Sequence, residues 1–592
     1  MSLHDLNRHV VDVRVSESFD ALFATPRDHQ SGSEVYSAIR RSLGSRVPLR
    51  RSADGVRVPA DCAMALVDTP GLDLRWSGDA QRFCDNRRHV AHHFPEQFRV
   101  VQEIKARGAD YARKLIMDSA GLEILDPHQI VNVAAMTTAG GFGVCVFDEQ
   151  GAGKTVTMIY SFDLLVARDE VDLMVIIAPK SMVPEWPADF RRFRGDLYRV
   201  AVISGSPREK RRALESGADV FVTNFETAVS LEPEFRALLR TKNRRGLLVV
   251  DESFFIKSLD AKRTRALRRL REWCGRAFVL CGTPAPNAPV DLVQQFSLVD
   301  FGYTFENVAT PKDRQAAQPV VQNAIETRGL YVRHLKADVL PELPEKRFQR
   351  LYVPLEPAQR RAYEGALRDL IVDLESISDQ EFQRRIPNFL ARRAALLQIC
   401  SNPAGLVPGY RETPAKLHAL DALFQELILR QREKVVLWSF YTASIDGIMA
   451  RYGPYGAVRY DGTITEVAAR RDAVRRFQED DQTMLFVGNP AAAGAGLTLH
   501  RARFGVYESF SNQAAHYLQS LDRIHRRGQT RQVDYIVLLG EGTIELSEYD
   551  RLIAKETASQ QLLGDPAVSP LTREILLADA RAAASLWTVA KD

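Results

Sequence analysis

The sequence predicts an α/β protein with two tandem parallel-sheet units, a helical crossover between them and a small N-terminal domain. Short apolar runs alternate with segments of helical periodicity, and this alternation favours buried parallel strands that are connected by helices. The alternation occurs twice, once within residues 142–284 and again after residue 430. Two similar units in tandem suggest two lobes with a cleft between them.

Ten apolar runs provide the predicted strands, five in each unit. In the first unit they are FGVCVF (142–147), LMVIIAP (173–179), DVFVTNF (219–225), GLLVVDE (246–252) and AFVLCGTP (277–284). In the second unit they are KVVLWSF (434–440), AVRYDG (457–462), TMLFVGN (483–489), FGVYESF (504–510) and VDYIVLL (533–539). The turns and helical patterns between these runs are the connections that parallel strands require.

The remaining segments are assigned from weaker patterns. Residues 355–400 have a mainly helical pattern, and prolines from Pro341 to Pro357 mark the crossover. Residues 1 to about 115 contain Arg and His clusters and short possible strands, such as VRVP at 56–59, and predict an accessory domain with a charged face. Contact of that domain with DNA or a protein partner is the alternative. The predicted domains are an N-terminal accessory domain (1–118), a first lobe (119–350), a helical crossover (351–412), a second lobe (413–560) and a C-terminal helical tail (561–592).

Composition favours a globular protein and excludes few functions. Hydrophobic residues make up 45% of the chain and charged residues 26%, so a packed core is expected. The net charge of +4 neither requires nor excludes nucleic acid. The six cysteines form no CxxC pair, so neither a zinc site nor a disulfide framework is indicated. Because the N-terminus has no apolar signal core and no long apolar run follows, we expect a cytoplasmic protein without membrane contact.

The segment DEQGAGKT (148–155) lies between a predicted strand and a helical stretch. A Gly-rich loop in this position binds phosphate, because backbone N–H groups and the helix N-terminus face the anion. Lys154 would reach the β- and γ-phosphates of ATP, and Thr155 would bind Mg²⁺ through its hydroxyl. Asp148 stands where the full GxxxxGK[ST] pattern begins with Gly, although the GxGKT core is intact. A structural glycine turn is the alternative.

Two adjacent carboxylates, Asp251 and Glu252, end the predicted strand GLLVVDE. Open α/β sheets bind their ligands at such strand ends. Asp251 would hold Mg²⁺, and Glu252 would orient and deprotonate the attacking water. A surface acidic pair that caps a helix is the alternative.

Phosphoryl transfer also requires positively charged groups that lie beside the oxygens of the transferred phosphoryl group. The segment QSLDRIHRRGQT (519–530) offers Arg523 and Arg526, which a helix would place on one face because they are three residues apart. A solvated helix face is the alternative. An arginine finger in the second unit would make closure of the two lobes depend on ATP.

These segments together resemble helicase superfamily two, and in particular its Swi/Snf-type DNA translocases. The resemblance covers about residues 121–555 in the family's order. The further matching segments are LDPHQ (125–129), IIAPKSMVPEW (176–186), VTNFE (222–226), LCGTPAPN (280–287), YVRHLKADVLPELPEK (331–346), VVLWSF (435–440), RYDGTITEVAARRDAVRRFQED (459–480) and AAAGAGLTLHRA (491–502). The variant GLTL is closer to the annealing-helicase or the bacterial and phage branch than to the nucleosome-remodelling branch.

The resemblance implies two RecA-like lobes and an ATP-driven motor that tracks along duplex DNA, usually without strand separation. It implies that Gln129 recognises adenine. The implied ATP-binding residues are Gln129, Asp148, Glu149, Gly151, Ala152, Gly153, Lys154, Thr155 and Gln519. The implied DNA contacts are Ser181, Thr223, Asn224, Ser439 and Thr498, short polar side chains expected at loop tips, which suit phosphate contacts without sequence readout.

Two segments depart from the family's pattern. In DESFFIK (251–257), Phe254 replaces a His that couples the phosphate site to the residue matching Gln519. Phenylalanine has no hydrogen-bonding group, so we hypothesise that coupling between hydrolysis and DNA contact is altered. In addition, ESFSNQ (508–513) replaces the family's D-x-x-W-N-P stretch, a departure that calls the DNA contacts there into question.

We therefore expect a DNA-dependent ATPase and double-strand translocase that uses ATP and Mg²⁺ in DNA repair, replication or phage–host conflict. One alternative is a strand-separating or annealing helicase, and another is an RNA motor. A third is a low-turnover nucleotide-dependent scaffold, which Phe254 favours but the intact Lys154, Glu252 and Arg523 oppose. The expected protein is a monomeric, DNA-associated motor of a bacterial or phage-infected cell, with a protein partner on its N-terminal domain.

Overall fold

The computed structural model of the chain contains two compact units, which divide between Leu335 and Lys336. The structure describes residues 9–17, 19–27, 32–44, 47, 49–52, 55–67, 69–241, 244–256, 258–285, 289–306, 308–311, 314–492, 497–511, 514–559 and 572–588. The predicted fold class, α/β with two tandem parallel-sheet lobes, is confirmed.

The first unit opens with a five-stranded sheet of its own, in the order β3-β4-β2-β1-β5. Strands β1 to β5 are, in order, His9–Val15, Ala21–Pro26, Arg50–Ser52, Gly55–Pro59 and Leu72–Trp76. Helices α1 to α3 are Gly32–Leu43, Ala63–Val67 and Gly78–Leu115. One face of the sheet packs on these helices through Val11, Val13, Leu22 and Val58, which are fully buried. The predicted strand VRVP lies within β4.

The main sheet of the first unit has seven parallel strands in the order β12-β6-β11-β10-β7-β9-β8. Strands β6 to β12 are Gly143–Val146, Leu173–Ala178, Val200–Val202, Val220–Asn224, Arg244–Asp251, Cys274–Leu280 and Tyr331–Val332. Helices α4 to α12 are Pro127–Met136, Lys154–Ala167, Glu185–Arg194, Pro207–Leu214, Phe225–Ser230, Glu232–Thr241, Lys262–Arg271, Asp291–Asp300 and Arg314–Arg328. The five predicted strands are the five inner strands, and the two edge strands β8 and β12 escape prediction because they are short.

The second unit contains six parallel strands in the order β13-β18-β17-β14-β16-β15. Strands β13 to β18 are Lys346–Val353, Val435–Trp438, Ala457–Tyr460, Leu485–Gly488, Phe504–Tyr507 and Val533–Gly540. Helices α13 to α21 are Lys336–Val339, Pro357–Ser376, Asp379–Ser401, Ala415–Phe424, Thr442–Tyr452, Val467–Glu479, Ala514–Leu521, Glu545–Ser559 and Arg573–Thr588. A π-helical turn, Gln425–Arg430, follows α16.

Strand β13 differs from the sequence-based domain division. The predicted boundary at residue 350 falls inside this strand, which pairs over its whole length with β18 of the second sheet. The helices α14 and α15 bear out the helical pattern of residues 355–400. Among the helices of the described ranges, none has the length and hydropathy that crossing a bilayer requires.

Candidate active site

The phosphate loop joins the end of β6 to the first turn of α5. Two of its glycines, Gly151 and Gly153, have φ values of 89° and 88°, which residues with side chains rarely adopt. At Gly153 a Cβ atom would also lie 2.2 Å from Nε2 of Gln129. Helix α5 begins at Lys154, directly after Gly153, so its free backbone N–H groups lie at the end of the loop. This strand–loop–helix geometry is the one that binds phosphate groups.

Lys154 lies against the loop, with 8% of its surface exposed. Its Nζ atom donates hydrogen bonds to the carbonyl oxygens of Asp148, at 2.9 Å, and Glu149, at 3.3 Å. Thr155 follows in the first turn of α5 and is partly exposed. The positions suit the predicted roles of a phosphate-binding cation and a hydroxyl ligand of Mg²⁺, and these roles stay predictions.

The side chain of Asp148 is fully buried beneath the loop. Its Oδ2 accepts a hydrogen bond from the Asn132 side chain at 2.5 Å, and its Oδ1 lies 2.9 Å from Nδ1 of His334. The Asp148 carboxylate is thus bonded within the protein, and the predicted contact of Asp148 with ATP stays a prediction. The carboxylate connects the loop to α4 and to the segment after β12, and the sequence pattern gave no indication of either partner.

The start of α4 is attached to the same loop. Gln129 is buried, its Oε1 accepts a hydrogen bond from the backbone of Asp126 at 3.0 Å, and its Nε2 donates to the carbonyl of Ala152 at 3.2 Å. Nε2 of His128 lies 2.8 Å from that carbonyl oxygen. The structure therefore places Gln129 beside the phosphate loop, while its recognition of adenine stays a prediction.

The acidic pair lies at the carboxyl end of β10, of which Asp251 is the last residue. Asp251 pairs in register with Leu280 of β11, and Leu280 with Val146 of β6, so the pair and the phosphate loop lie at the same edge of the sheet. Asp251 is 5% exposed and Glu252 3% exposed. The pKa of Asp251 is raised to about 7, chiefly by burial and next by the negative charge of Glu252. The structure thus brings the acidic pair and the loop together, as the sequence predicts.

Two residues that the sequence does not single out orient this pair. The indole Nε1 of Trp186 donates a hydrogen bond to Asp251 Oδ2 at 3.2 Å. The side-chain amide of Gln150 donates to Oε1 of Glu252. Glu252 itself has a φ of 51°, a left-handed conformation that is uncommon for residues with side chains and concentrates at functional sites.

Phe254 lies in the short 3₁₀ helix Ser253–Ile256 that follows the acidic pair. Its ring stacks on Phe255, with centroids 4.5 Å apart, and packs against the hydrophobic core of the unit. The neighbouring Ser253 donates a hydrogen bond to Gln295 at 2.6 Å, and Gln295 donates to the carbonyl of Pro284 at 2.6 Å. The polar connection in this region therefore passes through Ser253 and Gln295, and an apolar side chain occupies the position of the family's histidine.

In the second unit the expectation of a shared helix face for Arg523 and Arg526 is wrong. Helix α19 ends at Leu521, and both arginines lie in the turns that follow it. Arg523 Nε donates to the carbonyl of Gln519 at 2.9 Å, and Arg526 Nη1 donates to that of Leu497 at 2.9 Å. The turns are fixed by the buried Lys336, which bonds the carboxylate of Asp522 and, at 3.1 Å, the carbonyl of His525.

The predicted DNA contacts differ in accessibility. Ser181, Asn224 and Thr498 are partly exposed. Thr223 lies within β9, is fully buried and donates its hydroxyl to the carbonyl of Ile203 at 3.0 Å, so its expected position at a loop tip is wrong. Ser439 is also fully buried. For the three partly exposed residues, DNA contact stays a prediction.

Ser439 is held by a buried carboxylate, Glu508, which the sequence pattern presents only as a departure from the family. Glu508 accepts hydrogen bonds from the hydroxyls of Ser401, at 2.6 Å, and Ser439, at 2.8 Å. Lys416 Nζ donates to the backbone carbonyl of Glu508 at 2.6 Å and to the carboxylate of Glu545 at 2.7 Å. This cluster connects α15 and α16 to the carboxyl ends of β14 and β17.

Two family models match most of this site. The SNF2-related domain matches residues 128–405, and the helicase conserved C-terminal domain matches residues 415–528. The chain therefore contains an SNF2-related domain followed by a helicase conserved C-terminal domain. The SNF2-related domain contains the phosphate loop and the acidic pair, and the helicase C-terminal domain contains Arg523 and Arg526.

Similar proteins include a "DNA repair and recombination protein RAD54-like" of Drosophila persimilis, 27% identical over 76% of this chain and 65% of that protein. A "putative ATP-dependent helicase/translocase" of Bacillus subtilis is 27% identical over 72% of this chain and 47% of that protein. The chain thus spans less than two thirds of the length of these relatives. A solved SWI2/SNF2 ATPase core of Sulfolobus solfataricus in complex with dsDNA is 22% identical, covers 76% of this chain and 96% of that chain, and has a TM-score of 0.33.

Proposed function

We propose that the chain hydrolyses ATP with Mg²⁺ and uses the energy to translocate on double-stranded DNA or to remodel complexes on it. The observation that carries this proposal is the common sheet edge of the phosphate loop and the acidic pair, within an SNF2-related domain. A phosphate-binding loop alone would suit many nucleotide-binding proteins. A buried carboxylate pair beside it is what hydrolysis additionally requires.

The residues present suit ATP and Mg²⁺. The Asp251 carboxylate and the Thr155 hydroxyl are hard oxygen donors, the type that Mg²⁺ prefers. The raised pKa of Asp251 shows that its charge is poorly solvated, and a bound cation would stabilise the ionised form. Lys154 would bind the β- and γ-phosphate oxygens. Mg²⁺ would neutralise charge that develops on the phosphates.

Glu252 would orient the attacking water and accept its proton. Its carboxylate is buried and held by Gln150, so its direction is set before substrate binds. Such preorganisation lowers the cost of reaching the transition state. Arg523 and Arg526 would supply positive charge to the transferred phosphoryl group, an assignment that rests on the resemblance of their segment to the family.

Double-stranded DNA is the proposed substrate because the similar proteins are named as DNA repair proteins and helicase/translocases. We propose Ser181, Asn224 and Thr498 as contacts to the DNA backbone, since each is polar and partly exposed. We further propose a monomeric motor that acts on DNA in a bacterial or phage-infected cell. Sedimentation with and without duplex DNA would test the monomer.

The test is ATP hydrolysis by the full chain without nucleic acid and with single-stranded DNA, duplex DNA or duplex RNA. We expect the strongest stimulation with duplex DNA, and a loss of at least 100-fold in kcat, about 2.7 kcal/mol, in Glu252→Gln. Stronger stimulation by duplex RNA than by duplex DNA would instead identify duplex RNA as the substrate. Absence of hydrolysis under all four conditions would contradict the motor.

Phe254 favours one second candidate, a low-turnover scaffold that binds nucleotide and DNA. Steady-state phosphate release distinguishes the two candidates, because a motor sustains it and a scaffold would not. A strand-displacement assay on blunt and forked duplexes then separates a translocase, which leaves the strands paired, from a strand-separating helicase.

A further inference from the structure

A cavity of about 400 Å³ lies within the first unit, between the N-terminal sheet and the helices that follow the acidic pair. Strand β4 contributes Arg57, α3 contributes Arg87, α10 contributes Arg268, and α11 contributes Gln294. Sites for small organic ligands commonly have volumes of roughly 300–1,000 Å³. We call this space the N-terminal cavity.

Three polar atoms of the lining residues are buried and have no hydrogen-bond partner among the described residues. They are Nε of Arg87, Nε of Arg268 and Oε1 of Gln294. Buried polar groups are nearly always hydrogen-bonded, so three such atoms around one cavity call for a partner that the protein itself does not provide. Because the two ends of a glutamine amide are easily exchanged, Gln294 can offer either a donor or an acceptor.

The two guanidinium groups indicate the charge of that partner. The pKa of Arg268 is lowered to about 10, chiefly by burial and next by the positive charge of Arg87. The two cations therefore repel one another in a region where water solvates them poorly. Arg87 contacts Glu272 at 3.0 Å through Nη1, which leaves its Nε unused. An anion between the two guanidinium groups would relieve the repulsion and accept from both Nε–H groups.

The carboxylates of the cavity are already engaged. Asp20 accepts hydrogen bonds from Arg57 and, at 2.8 Å, from Ser16. Asp300 accepts from the backbone of Gly302 and the hydroxyl of Thr304, at 2.8 and 2.5 Å. Glu306, the third carboxylate of the lining, also has a partner. None of these hydrogen bonds involves Nε of Arg87 or Nε of Arg268, so the lining carboxylates leave both atoms without an acceptor.

Apolar side chains form much of the remaining wall, among them Leu259, Val293, Phe301, Phe305 and Val308. A bare inorganic ion would leave this surface uncovered, whereas an organic anion would bury it. We propose that the N-terminal cavity is a binding site for a small organic anion, whose phosphate or carboxylate group is held by Arg87 and Arg268 and whose apolar part faces these side chains.

Helix α11 connects the N-terminal cavity to the acidic pair. Gln294 and Ser297 line the cavity, while Gln295 bonds Ser253, the residue after Glu252. A ligand that fixes α11 would therefore change the position of the acidic pair. This consequence rests on the proposed ATPase activity, whereas binding itself does not.

Two matched probes, phenyl phosphate and benzoate, test the site because they share a ring and differ in the anionic group. Calorimetric titrations use the full chain carrying Lys154→Ala, which removes the cation of the phosphate loop. We expect one site for at least one probe, and binding at least tenfold weaker when Arg268→Gln is added. Arg265→Gln on the same helix, outside the lining, is the control and should change binding less than twofold.

The probe that binds identifies the anionic group. Binding of neither probe with a Kd below about 1 mM would overturn the proposal, as would equal binding to Arg268→Gln and the control. A structure with the bound probe provides a second measurement, independent of the stability of any variant. Its anionic group should lie within hydrogen-bonding distance of Arg87 and Arg268, and a cavity that holds only water, or a probe bound elsewhere, would contradict the site.

The ATPase rate with and without the probe then tests the connection through α11. We expect the saturating probe to change kcat at least twofold in the protein with Lys154 intact, and to have no effect in Arg268→Gln. If the probe binds but the ATPase rate does not change, the proposed effect through α11 is wrong, while the proposed binding site still stands. Absence of any ATPase activity would instead count against the proposed function.

Discussion

At the scale of single residues, the candidate site depends on buried polar groups whose partners lie far away in sequence. Asp148 illustrates this: a position beside a phosphate loop suggests a ligand contact, yet its carboxylate bonds Asn132 and His334. Thr223 is a second case, because its hydroxyl donates a hydrogen bond to the carbonyl of Ile203 inside the sheet. In both, a buried polar side chain first satisfies its hydrogen bonds within the protein, and no sequence motif encodes those partners.

Phe254→His tests whether the aromatic residue alters coupling between hydrolysis and DNA binding. A histidine restores a hydrogen-bonding side chain beside Ser253, so we expect the ratio of DNA-stimulated to basal ATPase rate to change at least twofold. The measurement is the steady-state rate with and without duplex DNA. Phe254→Leu is the matched control that stays apolar, and an unchanged ratio in the histidine variant would remove the hypothesis.

His525 predicts a pH dependence of stability. Burial, the largest cause, lowers its pKa to about 4, and Nε2 lies 2.7 Å from the carbonyl oxygen of Pro344, to which it donates. A depressed pKa means that the neutral form stabilises the fold above the unfolded value of roughly 6.5, and that this contribution is lost as the pH falls towards 4. In His525→Gln, which cannot be protonated, the thermal midpoint should fall less between pH 7 and pH 4.5 than in the parent chain. Equal falls would contradict the assignment.

At the scale of secondary-structure elements, the end of a helix depends on tertiary contacts as well as on the local sequence pattern. Helix α19 stops at Leu521 because Lys336 draws Asp522 and the carbonyl of His525 into a turn. Arg523 and Arg526 therefore reach Gln519 and Leu497 from turns and not from one helix face. The spacing of the two arginines could not reveal this, since the contacts that end the helix come from a segment far away in the sequence.

The buried pair Lys416–Glu545 predicts how α16 and α20 depend on one another. Both side chains are almost fully buried, and their atoms are 2.7 Å apart. Lys416→Met would leave Glu545 without its cation, so we expect a loss of about 3–5 kcal/mol in the free energy of unfolding of the second unit. In Lys416→Met/Glu545→Leu no charge is stranded, and a substantial part of that loss should return. Urea unfolding measures both, and a double variant that is less stable than the single one would contradict the argument.

At the scale of the whole chain, the N-terminal sheet is attached to the main sheet of the first unit by a polar cluster. Asn86 and Arg87 of α3 donate to the Glu272 carboxylate at 2.6 and 3.0 Å. Arg82 also stacks over Trp273, the next residue, at 3.8 Å. The N-terminal sheet and α3 are thus packed through specific contacts against the part of the first unit that follows the acidic pair.

Glu272→Ala tests this attachment. Removal of the carboxylate leaves Asn86 and Arg87 with only backbone carbonyl acceptors and leaves Arg87 without its carboxylate partner, so we expect faster hydrogen exchange in α3 and a lower thermal midpoint. Exchange in α14 and α15 of the second unit is the internal reference and should stay unchanged. Unaltered exchange throughout α3 would mean that Glu272 does not hold the domain in place.

The elements that depend on local patterns are predictable from the amino-acid sequence alone. Apolar runs long enough to be buried on both faces predicted the inner strands of both sheets, because hydrophobic burial is read from consecutive residues. The phosphate loop and the acidic pair were predictable for the same reason: each is a short segment at the end of such a strand.

Which polar groups meet depends on contacts between residues that are distant in sequence. The edge strands β8 and β12 form because a neighbouring strand supplies their hydrogen bonds, and strand β13 joins the second sheet by pairing with β18. The burial of Asp148, the Glu508 cluster and the N-terminal cavity likewise arise from residues that are distant in sequence. Hydrogen bonds and charge interactions act over a few ångströms, so the fold must first bring these residues together.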